Sequence, residues 1–221
     1  MLSDQILALI ASSVIKKGYA NNTLNYSNSN YSITTLAKTT YSTIIEIVES
    51  NNNKTYMFCQ EGSQSVNDYY TDLAAMNNDQ KKKLKNRKGR ITKTMFDEYK
   101  KYRNLIINFK ESLEGEGDLV LAGHSLGGAV VGIAGGILDI KCILLAPVPF
   151  AAHSNWINNY TIKPVSYVNP SDPCCSDKVG IIWKAGNHIG KQWTYNDSGT
   201  GSHKINSFVE YFENRTGLSI L

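Results

Sequence analysis

The feature that most constrains the fold is a short apolar run ending in a glycine-rich turn, Asp118-Leu-Val-Leu-Ala-Gly-His-Ser-Leu-Gly-Gly-Ala129. The run before the turn predicts a buried strand, and the small apolar residues Leu126 to Leu138 predict a helix directly after it. A strand that turns at once into a helix holds the residue between them, Ser125, in a strained backbone conformation. Larger side chains two positions away would collide, which explains glycine at 123 and 127.

The same turn exposes the hydroxyl of Ser125 at the amino end of a helix. The helix dipole and the unpaired amides of the first helical turn favour negative charge that develops there. Ser125 is therefore the candidate nucleophile, and the backbone N–H of Leu126 is a candidate donor to an oxyanion. The alternative is a turn that binds phosphate or only packs. A phosphate loop would carry a lysine after its glycines, and none follows here.

The periodicity of the rest of the chain predicts one α/β domain over residues 1–221. From residue 96 onward, helices alternate with short buried strands, which favours a mostly parallel central sheet flanked by helices. The predicted helices are 3–17, Phe96–Leu113, Leu126–Leu138 and His203–Asn214. The predicted strands are Tyr41–Val48, Thr55–Cys59, Asp118–Ala122, Ile143–Pro147, Val165–Val168 and Val179–Trp183. The polar stretch Asn21–Ser32 predicts a surface loop.

Composition excludes several classes of protein. The chain is 42% hydrophobic and 19% charged, which is typical of a globular domain. A net charge of +4 is too small to indicate a nucleic-acid partner. The four cysteines form no Cys-x-x-Cys pair, so no metal site is predicted. Cys174 and Cys175 are adjacent, and adjacent cysteines rarely bridge each other, which favours a reducing, cytoplasmic compartment.

The amino terminus gives no clear sign of export. Asp4 precedes the apolar stretch Ile6–Ile15, and Lys16 and Lys17 follow it. This order of charges is what a helix dipole prefers, and it is the reverse of a secretory signal. We interpret the segment as an amphipathic helix, with a signal anchor as the alternative. No apolar run approaches the roughly 18 residues of a membrane span.

Two motifs together resemble the class 3 lipases, the fungal-type triacylglycerol lipase family. Gly123-His-Ser-Leu-Gly-Gly-Ala129 is similar to the nucleophile motif of that family. The second motif is Glu61-Gly-Ser-Gln-Ser-Val-Asn-Asp-Tyr-Tyr-Thr-Asp72-Leu73, where the family has an Arg-Gly-Ser/Thr turn, an aromatic residue and an Asp-Leu pair. Glu61 replaces the usual arginine, and Tyr69 stands where the family has tryptophan. The resemblance spans about residues 40 to 211 and implies the α/β-hydrolase fold.

The resemblance also implies the remaining parts of an active site. This fold supplies its triad in the order Ser, Asp, His. His203 opens an apolar helix as the family's catalytic histidine does, with His188 as the alternative. Asp172 follows a strand in Asn-Pro-Ser-Asp-Pro, similar to the family's Asp-Pro segment, with Asp177 as the runner-up. Ser63 would supply the second oxyanion amide and a hydroxyl, and its alternative is a turn residue that caps a helix.

The predicted function is hydrolysis of lipid carboxylic esters, of acylglycerols or phospholipids, through an acyl-enzyme intermediate. No cofactor is implied, because a triad and an oxyanion hole suffice. The basic run Lys81–Arg90 lies where the family has a lid, and it would contact anionic lipid head groups; the alternative is ordinary solvated surface. A peptidase or thioesterase of the same fold, or an inactive lipase-like scaffold that binds a partner, are the competing functions.

Overall fold

The structure is a computed structural model that describes residues 2–62, 81–151, 154–169, 172, 191–194 and 203–220. At residues 81, 154 and 191–194 it describes the backbone alone. Several predictions fall outside these described residues. They concern Ser63, Asp72, His188, Asp177, the strand Val179–Trp183 and the cysteines at 174 and 175.

Ten strands are described: β1 (Tyr26–Ser27), β2 (Tyr31–Lys38), β3 (Ser42–Glu49), β4 (Lys54–Gln60), β5 (Lys81–Lys82), β6 (Ile91–Thr92), β7 (Asp118–His124), β8 (Lys141–Leu145), β9 (Val165–Val168) and β10 (Lys191–Thr194). Eight of them form one sheet in the order β1-β2-β3-β4-β7-β8-β9-β10, and β5 pairs with β6. The strands β1 to β4 pair antiparallel. The strands β4, β7, β8, β9 and β10 pair parallel, which confirms the predicted mostly parallel sheet.

Within the described part of the chain, four α-helices cover the two faces of the sheet: α1 (Asp4–Tyr19), α2 (Lys93–Ser112), α3 (Leu126–Leu138) and α4 (Ile205–Thr216). A short 3₁₀ helix spans Ser154–Asn159. Neighbouring strand residues point to opposite faces, so Met57 packs in the core under α1 and α4, while Phe58 packs in the core under α2 and α3. The sheet therefore lies between two helical layers.

The helix at the amino terminus confirms its prediction. Ser3 is the N-cap, and its hydroxyl accepts a hydrogen bond from Ile6 N at 3.3 Å. Asp4 lies in the first turn, and Lys16 and Lys17 lie in the last turn. These charges complement the helix dipole at both ends. The helix α1 continues to Tyr19, two residues beyond the predicted end.

Two predictions about strands need correction. The loop predicted for Asn21–Ser32 contains β1 and the beginning of β2. In β2 only Tyr31 and Ile33 are buried, because a strand near the sheet edge needs apolar residues on one face alone. The apolar pattern of this strand is therefore weak. The strand predicted at Ile143–Pro147 ends earlier, at Leu145, because Ala146 has a φ of 41° and turns the chain away from the sheet. The strand β10 was not predicted.

The remaining described elements lie close to their predicted positions. The strands β3, β4 and β7 contain most of the predicted segments, and β9 has the predicted bounds. The helix α3 also has the predicted bounds, whereas α2 begins three residues before Phe96 and α4 begins two residues after His203. Among the described residues, none of the helices has the length and apolar character needed to cross a membrane.

The basic run lies along the layer formed by α2 and α3. Its first residues form β5, which pairs with β6 just before α2. Lys82 Nζ lies 4.3 Å from the centre of the Phe96 ring. Further along, Arg87 Nη2 donates to the carbonyl of Ile137 in the last turn of α3, and Lys88 N donates to Asn159 Oδ1 at 2.8 Å. Since Ile137 is twelve residues along α3 from Ser125, this part of the run lies about 18 Å from that serine.

Candidate active site

The strand-to-helix turn is built around one residue. The strand β7 ends at His124 and the helix α3 begins at Leu126, so Ser125 alone makes the turn, with φ 56° and ψ −124°. A Cβ atom at position 123 would lie 2.4 Å from the carbonyl oxygen of Gly127. A Cβ atom at position 127 would lie 2.4 Å from the carbonyl oxygens of Gln60 and Glu61. The steric reason predicted for both glycines is therefore confirmed.

Backbone hydrogen bonds hold this strained serine in place. Ser125 N donates to Leu145 O at 3.0 Å, at the end of the neighbouring strand β8. Ser125 O accepts from Val148 N at 3.1 Å and from Ala129 N at 3.3 Å. Ser125 is 3% exposed. The surrounding structure thus fixes the backbone of Ser125, so the position of its hydroxyl depends on few remaining degrees of freedom.

The three residues predicted as a triad lie together. His203 Nε2 lies 2.9 Å from Ser125 Oγ, and His203 Nδ1 lies 2.6 Å from Asp172 Oδ2. The side chain of Asp172 is fully buried, whereas that of His203 is 27% exposed. When Nδ1–H donates to the carboxylate, Nε2 is left to accept the proton of the serine hydroxyl. The arrangement can therefore activate Ser125 as a nucleophile.

Each partner reaches the serine from a different element. Asp172 lies four residues after β9, and its amide donates to Asn169 O at 2.9 Å. His203 lies just before α4, which begins at Ile205. Carboxyl ends of parallel strands gather at one edge of a sheet, so Ser125 after β7 and Asp172 after β9 meet there. The sequence order Ser, Asp, His is thus compatible with the observed contacts.

Of the two predicted oxyanion donors, Leu126 lies among the described residues and Ser63 does not. Leu126 is the first residue of α3, and the first amides of a helix have no partner within it. Ser63 lies outside the described residues, but its neighbour Gly62 is described. A Cβ atom at Gly62 would lie 2.7 Å from Ser125 Cβ, so the chain that leads to Ser63 passes directly against the serine. Only glycine fits at that contact.

The other histidine near Ser125 is not available as its base. His124 Nδ1 lies 3.0 Å from Tyr19 Oη, and His124 Nε2 lies 2.9 Å from the carbonyl oxygen of His203. Burial and the nearby ring of His203 lower the pKa of His124 to about 3. Both ring nitrogens face other groups, so the ring points away from the serine hydroxyl.

A third acidic candidate, Asp139, lies at the opposite end of α3 from Ser125. Its carboxylate accepts from Thr161 N at 2.7 Å and from Thr161 Oγ1 at 2.6 Å. These hydrogen bonds lower the pKa of Asp139. The residue is exposed, so it belongs to the surface and not to the group of residues around Ser125.

Sequence reasoning did not place two groups that lie at this edge of the sheet. Tyr19, from the end of α1, accepts a hydrogen bond from Gly62 N at 2.8 Å. Glu61, which replaces the arginine of the resembled motif, is 3% exposed. A Cβ atom at Gly18 would lie 2.0 Å from Glu61 Oε1, so the glycine leaves room for this carboxyl group. These contacts join residues more than 40 positions apart, and no local pattern predicts them.

No metal centre accompanies these groups in the described part of the chain, where no cluster of three or more His, Cys, Asp or Glu side chains could hold an ion. Cys59 and Cys142 are free and buried, and burial raises the pKa of both thiols. Both cysteines therefore behave as small apolar residues.

Comparison with known proteins bears on the family. Residues 57–142 match the sequence model of the class 3 lipase family. The predicted resemblance to class 3 lipases is confirmed. The matched segment runs from β4 to β8 and includes the turn at Ser125, and it supports a lipase-type enzyme that acts on ester bonds. No curated protein matches the chain in sequence.

Solved structures of fungal lipases share the fold of this lipase-like chain. A Rhizomucor miehei lipase in complex with its propeptide aligns with a TM-score of 0.63 at 15% identity, over 89% of this chain and 70% of that one. A lipase from Rhizopus microsporus var. chinensis aligns with a TM-score of 0.61 at 15% identity, over 95% and 84% of the two chains. A Yarrowia lipolytica lipase gives 0.58 at 12% identity, over 84% and 78%. The α/β-hydrolase fold is confirmed.

Proposed function

We propose that the chain hydrolyses carboxylic esters of lipids, acylglycerols or phospholipids, with Ser125 as nucleophile, His203 as general base and acid, and Asp172 as the acid that orients His203. The observation that carries this proposal is the pair of contacts at His203, 2.9 Å to Ser125 Oγ and 2.6 Å to Asp172 Oδ2. The lipid class of the substrate rests on the match to class 3 lipases over residues 57–142.

The first half of the reaction forms an acyl-enzyme. Ser125 Oγ attacks the ester carbonyl carbon while its proton passes to His203 Nε2. The buried carboxylate of Asp172 stabilises the resulting imidazolium and keeps Nε2 directed at the serine. The tetrahedral intermediate then collapses, and the departing alcohol takes the proton from Nε2.

The second half releases the fatty acid. Water attacks the acyl carbon and gives one proton to His203 Nε2, which returns it to Ser125 Oγ as the acid departs. In both halves the amides of Leu126 and Ser63 donate to the oxyanion, and the hydroxyl of Ser63 adds a third hydrogen bond. Support for these donors comes from Leu126 opening α3 and from Gly62 packing against Ser125.

Contact with a lipid surface belongs to the same proposal, in a narrower form than the whole basic run. The side chain of Arg87 is held against the far end of α3, and the backbone of Lys88 is held against Asn159. Lys83 and Lys85 are exposed and lie nearer to the hairpin of β5 and β6. These two lysines are the ones that meet anionic head groups.

The test compares wild type with Ser125→Ala, using a fluorophosphonate probe and a short-chain p-nitrophenyl ester. Wild type should react with the probe and hydrolyse the ester. The variant should do neither, because only an activated serine reacts with the phosphonate. Ser29→Ala, at an exposed serine between β1 and β2, is the matched control and should behave as wild type. A folded wild type that stays silent with a lipid interface supplied would overturn the proposal in favour of a scaffold that binds a partner.

A further inference from the structure

The hydroxyl of Tyr19 joins the ends of two strands that carry the proposed site. Tyr19 is the last residue of α1, and its ring packs edge-on against His124, with centroids 5.9 Å apart. Its oxygen accepts from Gly62 N at 2.8 Å, after β4, and lies 3.0 Å from His124 Nδ1, at the end of β7. One buried hydroxyl therefore touches both the nucleophile's neighbour and the chain that leads to Ser63.

The directions of these hydrogen bonds follow from the atoms involved. Gly62 N–H can only donate, so Tyr19 Oη accepts from it; the carbonyl oxygen of His203 can only accept, so His124 Nε2 donates and Nδ1 of the neutral ring accepts the proton of Tyr19 Oη. A neutral histidine whose Nδ1 accepts must carry its hydrogen on Nε2. That hydrogen is then donated to the carbonyl oxygen of His203, 2.9 Å away. A continuous chain of hydrogen bonds thus runs from Gly62 through Tyr19 and His124 to His203.

Both ionisable members of this chain stay neutral over the range in which an esterase is assayed. Burial raises the pKa of Tyr19 above its ordinary value, with the nearby Glu61 adding to the shift. Burial and the ring of His203 lower the pKa of His124 to about 3. The hydrogen-bond directions are therefore maintained between mildly acidic and alkaline conditions.

We infer that Tyr19 is a positioning residue for the proposed reaction, and this inference rests on the proposed function. Through Gly62 it fixes the distance between Ser125 and the chain that leads to Ser63. The two segments are already in close contact, because a Cβ atom at position 62 would lie 2.7 Å from Ser125 Cβ. Through His124 it fixes the backbone of His203. Donors of an oxyanion hole act only within a narrow range of distance, and an error of about 1 Å can cost about 100-fold in rate.

The direct test replaces Tyr19 by phenylalanine, which keeps the ring and removes the hydroxyl. We expect kcat on a short-chain ester to fall about 10- to 100-fold, with KM within about twofold of wild type. The displaced donor of the oxyanion hole acts on the transition state and not on the bound substrate. Tyr26→Phe is the matched control, since Tyr26 Oη also accepts a hydrogen bond, from Asn28 Nδ2 at 3.1 Å, within the β1–β2 region. It should leave kcat unchanged. Equal kcat in the two folded variants overturns the inference.

A second measurement needs no variant. In ¹⁵N-histidine NMR of wild type, His124 should be the neutral tautomer with hydrogen on Nε2 and an acceptor at Nδ1. Hydrogen on Nδ1 would reverse the chain and overturn the inference, even if Tyr19→Phe failed to fold. Failure of the proposed function is distinguishable, because wild type itself would then neither label with fluorophosphonate nor hydrolyse the ester.

Discussion

The two ends of α3 are flanked by residues with nearly the same φ, 56° at Ser125 and 54° at Asp139, yet they differ in every other respect. Asp139 has a ψ of 57°, the ordinary left-handed cap that ends many helices. Ser125 has a ψ of −124°, outside that region, and its conformation needs the backbone hydrogen bonds to Leu145 and Val148. The positive φ of Asp139 ends the helix, whereas that of Ser125 brings its hydroxyl next to His203.

The polar groups at the two ends are also satisfied differently. At the carboxyl end, Arg87 donates to Ile137 O, and Lys110 Nζ donates to Leu138 O at 3.1 Å. Both cations complement the negative end of the helix dipole. At the amino end, Ser125 makes no side-chain capping bond among the described residues, and its hydroxyl contacts His203 instead. The carboxyl end, whose carbonyl groups accept hydrogen bonds from Arg87 and Lys110, has a structural role. The amino end, whose first amides have no partner within the helix, is suited to stabilising negative charge in a reaction.

The largest expected effect separates the two aspartates near the ends of this helix. Asp172→Asn should lower kcat for a short-chain ester by about 10⁴, because an amide at this position favours the wrong tautomer of His203. The melting temperature should change little in comparison. Steady-state kinetics and thermal melts on the purified variant check both expectations.

Asp139→Asn is the matched control at the other end of α3. It replaces the carboxylate that accepts from Thr161, so it should cost at most about 1–2 kcal/mol of stability and leave kcat within about twofold. A loss of kcat equal to that of Asp172→Asn would remove the distinction between a reactive and a structural helix end.

The second effect is a loss of stability at low pH. Between pH 6.5 and about 4 this loss should come from the amino end of α3 and not from its carboxyl end. His124 has a folded pKa lowered to about 3 from 6.5, so in this window the unfolded state binds more protons. Stability is then full above pH 6.5 and falls as the pH falls, by up to about 1.4 kcal/mol per pH unit. Asp139, with its pKa lowered from 3.8, loses its contribution only below that window.

Urea unfolding of wild type and His124→Gln at several pH values between 7 and 4 measures this contribution. Other groups titrate in both proteins, so the difference between the two slopes isolates His124, whatever the variant costs at neutral pH. Asp139→Asn should keep the wild-type slope in this window. Identical slopes in wild type and His124→Gln would contradict the prediction.

Local chemistry explains which parts of the fold and of the site could be predicted from the sequence. Glycine is needed at position 123 because a Cβ atom there would collide with Gly127, only four residues on, so the local glycine pattern indicates a strand, a turn and a helix. The helix α4 follows from its own periodicity, and its buried face consists of Ile205, Phe208, Val209 and Phe212.

Contacts between distant segments could not be predicted in this way. Tyr19 reaches Gly62 across 43 positions and His124 across 105 positions. Glu61 lies in the space left by Gly18, which nothing in either local sequence indicates. The strand β2 was also missed, because its alternation is interrupted by an irregularity between Thr35 and Ala37 and few of its residues are buried.

The smallest effect divides the basic run into a structural part and a lipid-contacting part. Arg87→Gln removes a donor to the last turn of α3 and should cost about 1–2 kcal/mol of stability, with vesicle binding within about twofold of wild type. Lys83→Gln with Lys85→Gln should leave stability unchanged and weaken binding to vesicles of phosphatidylcholine and phosphatidylserine, by about 1 kcal/mol for each lysine. Urea unfolding and vesicle cosedimentation measure the two quantities.

Phosphatidylcholine vesicles without the anionic lipid are the control for this division, because the lysine variant should bind them as wild type does. Raising the salt concentration should reduce the difference on anionic vesicles, since exposed charges are screened within about 10 Å at 0.1 M. If the lysine variant kept full activity on anionic vesicles, Lys83 and Lys85 would be ordinary solvated surface. If Arg87→Gln weakened vesicle binding instead, the carboxyl end of α3 would itself face the lipid, and its basic residues would not be purely structural.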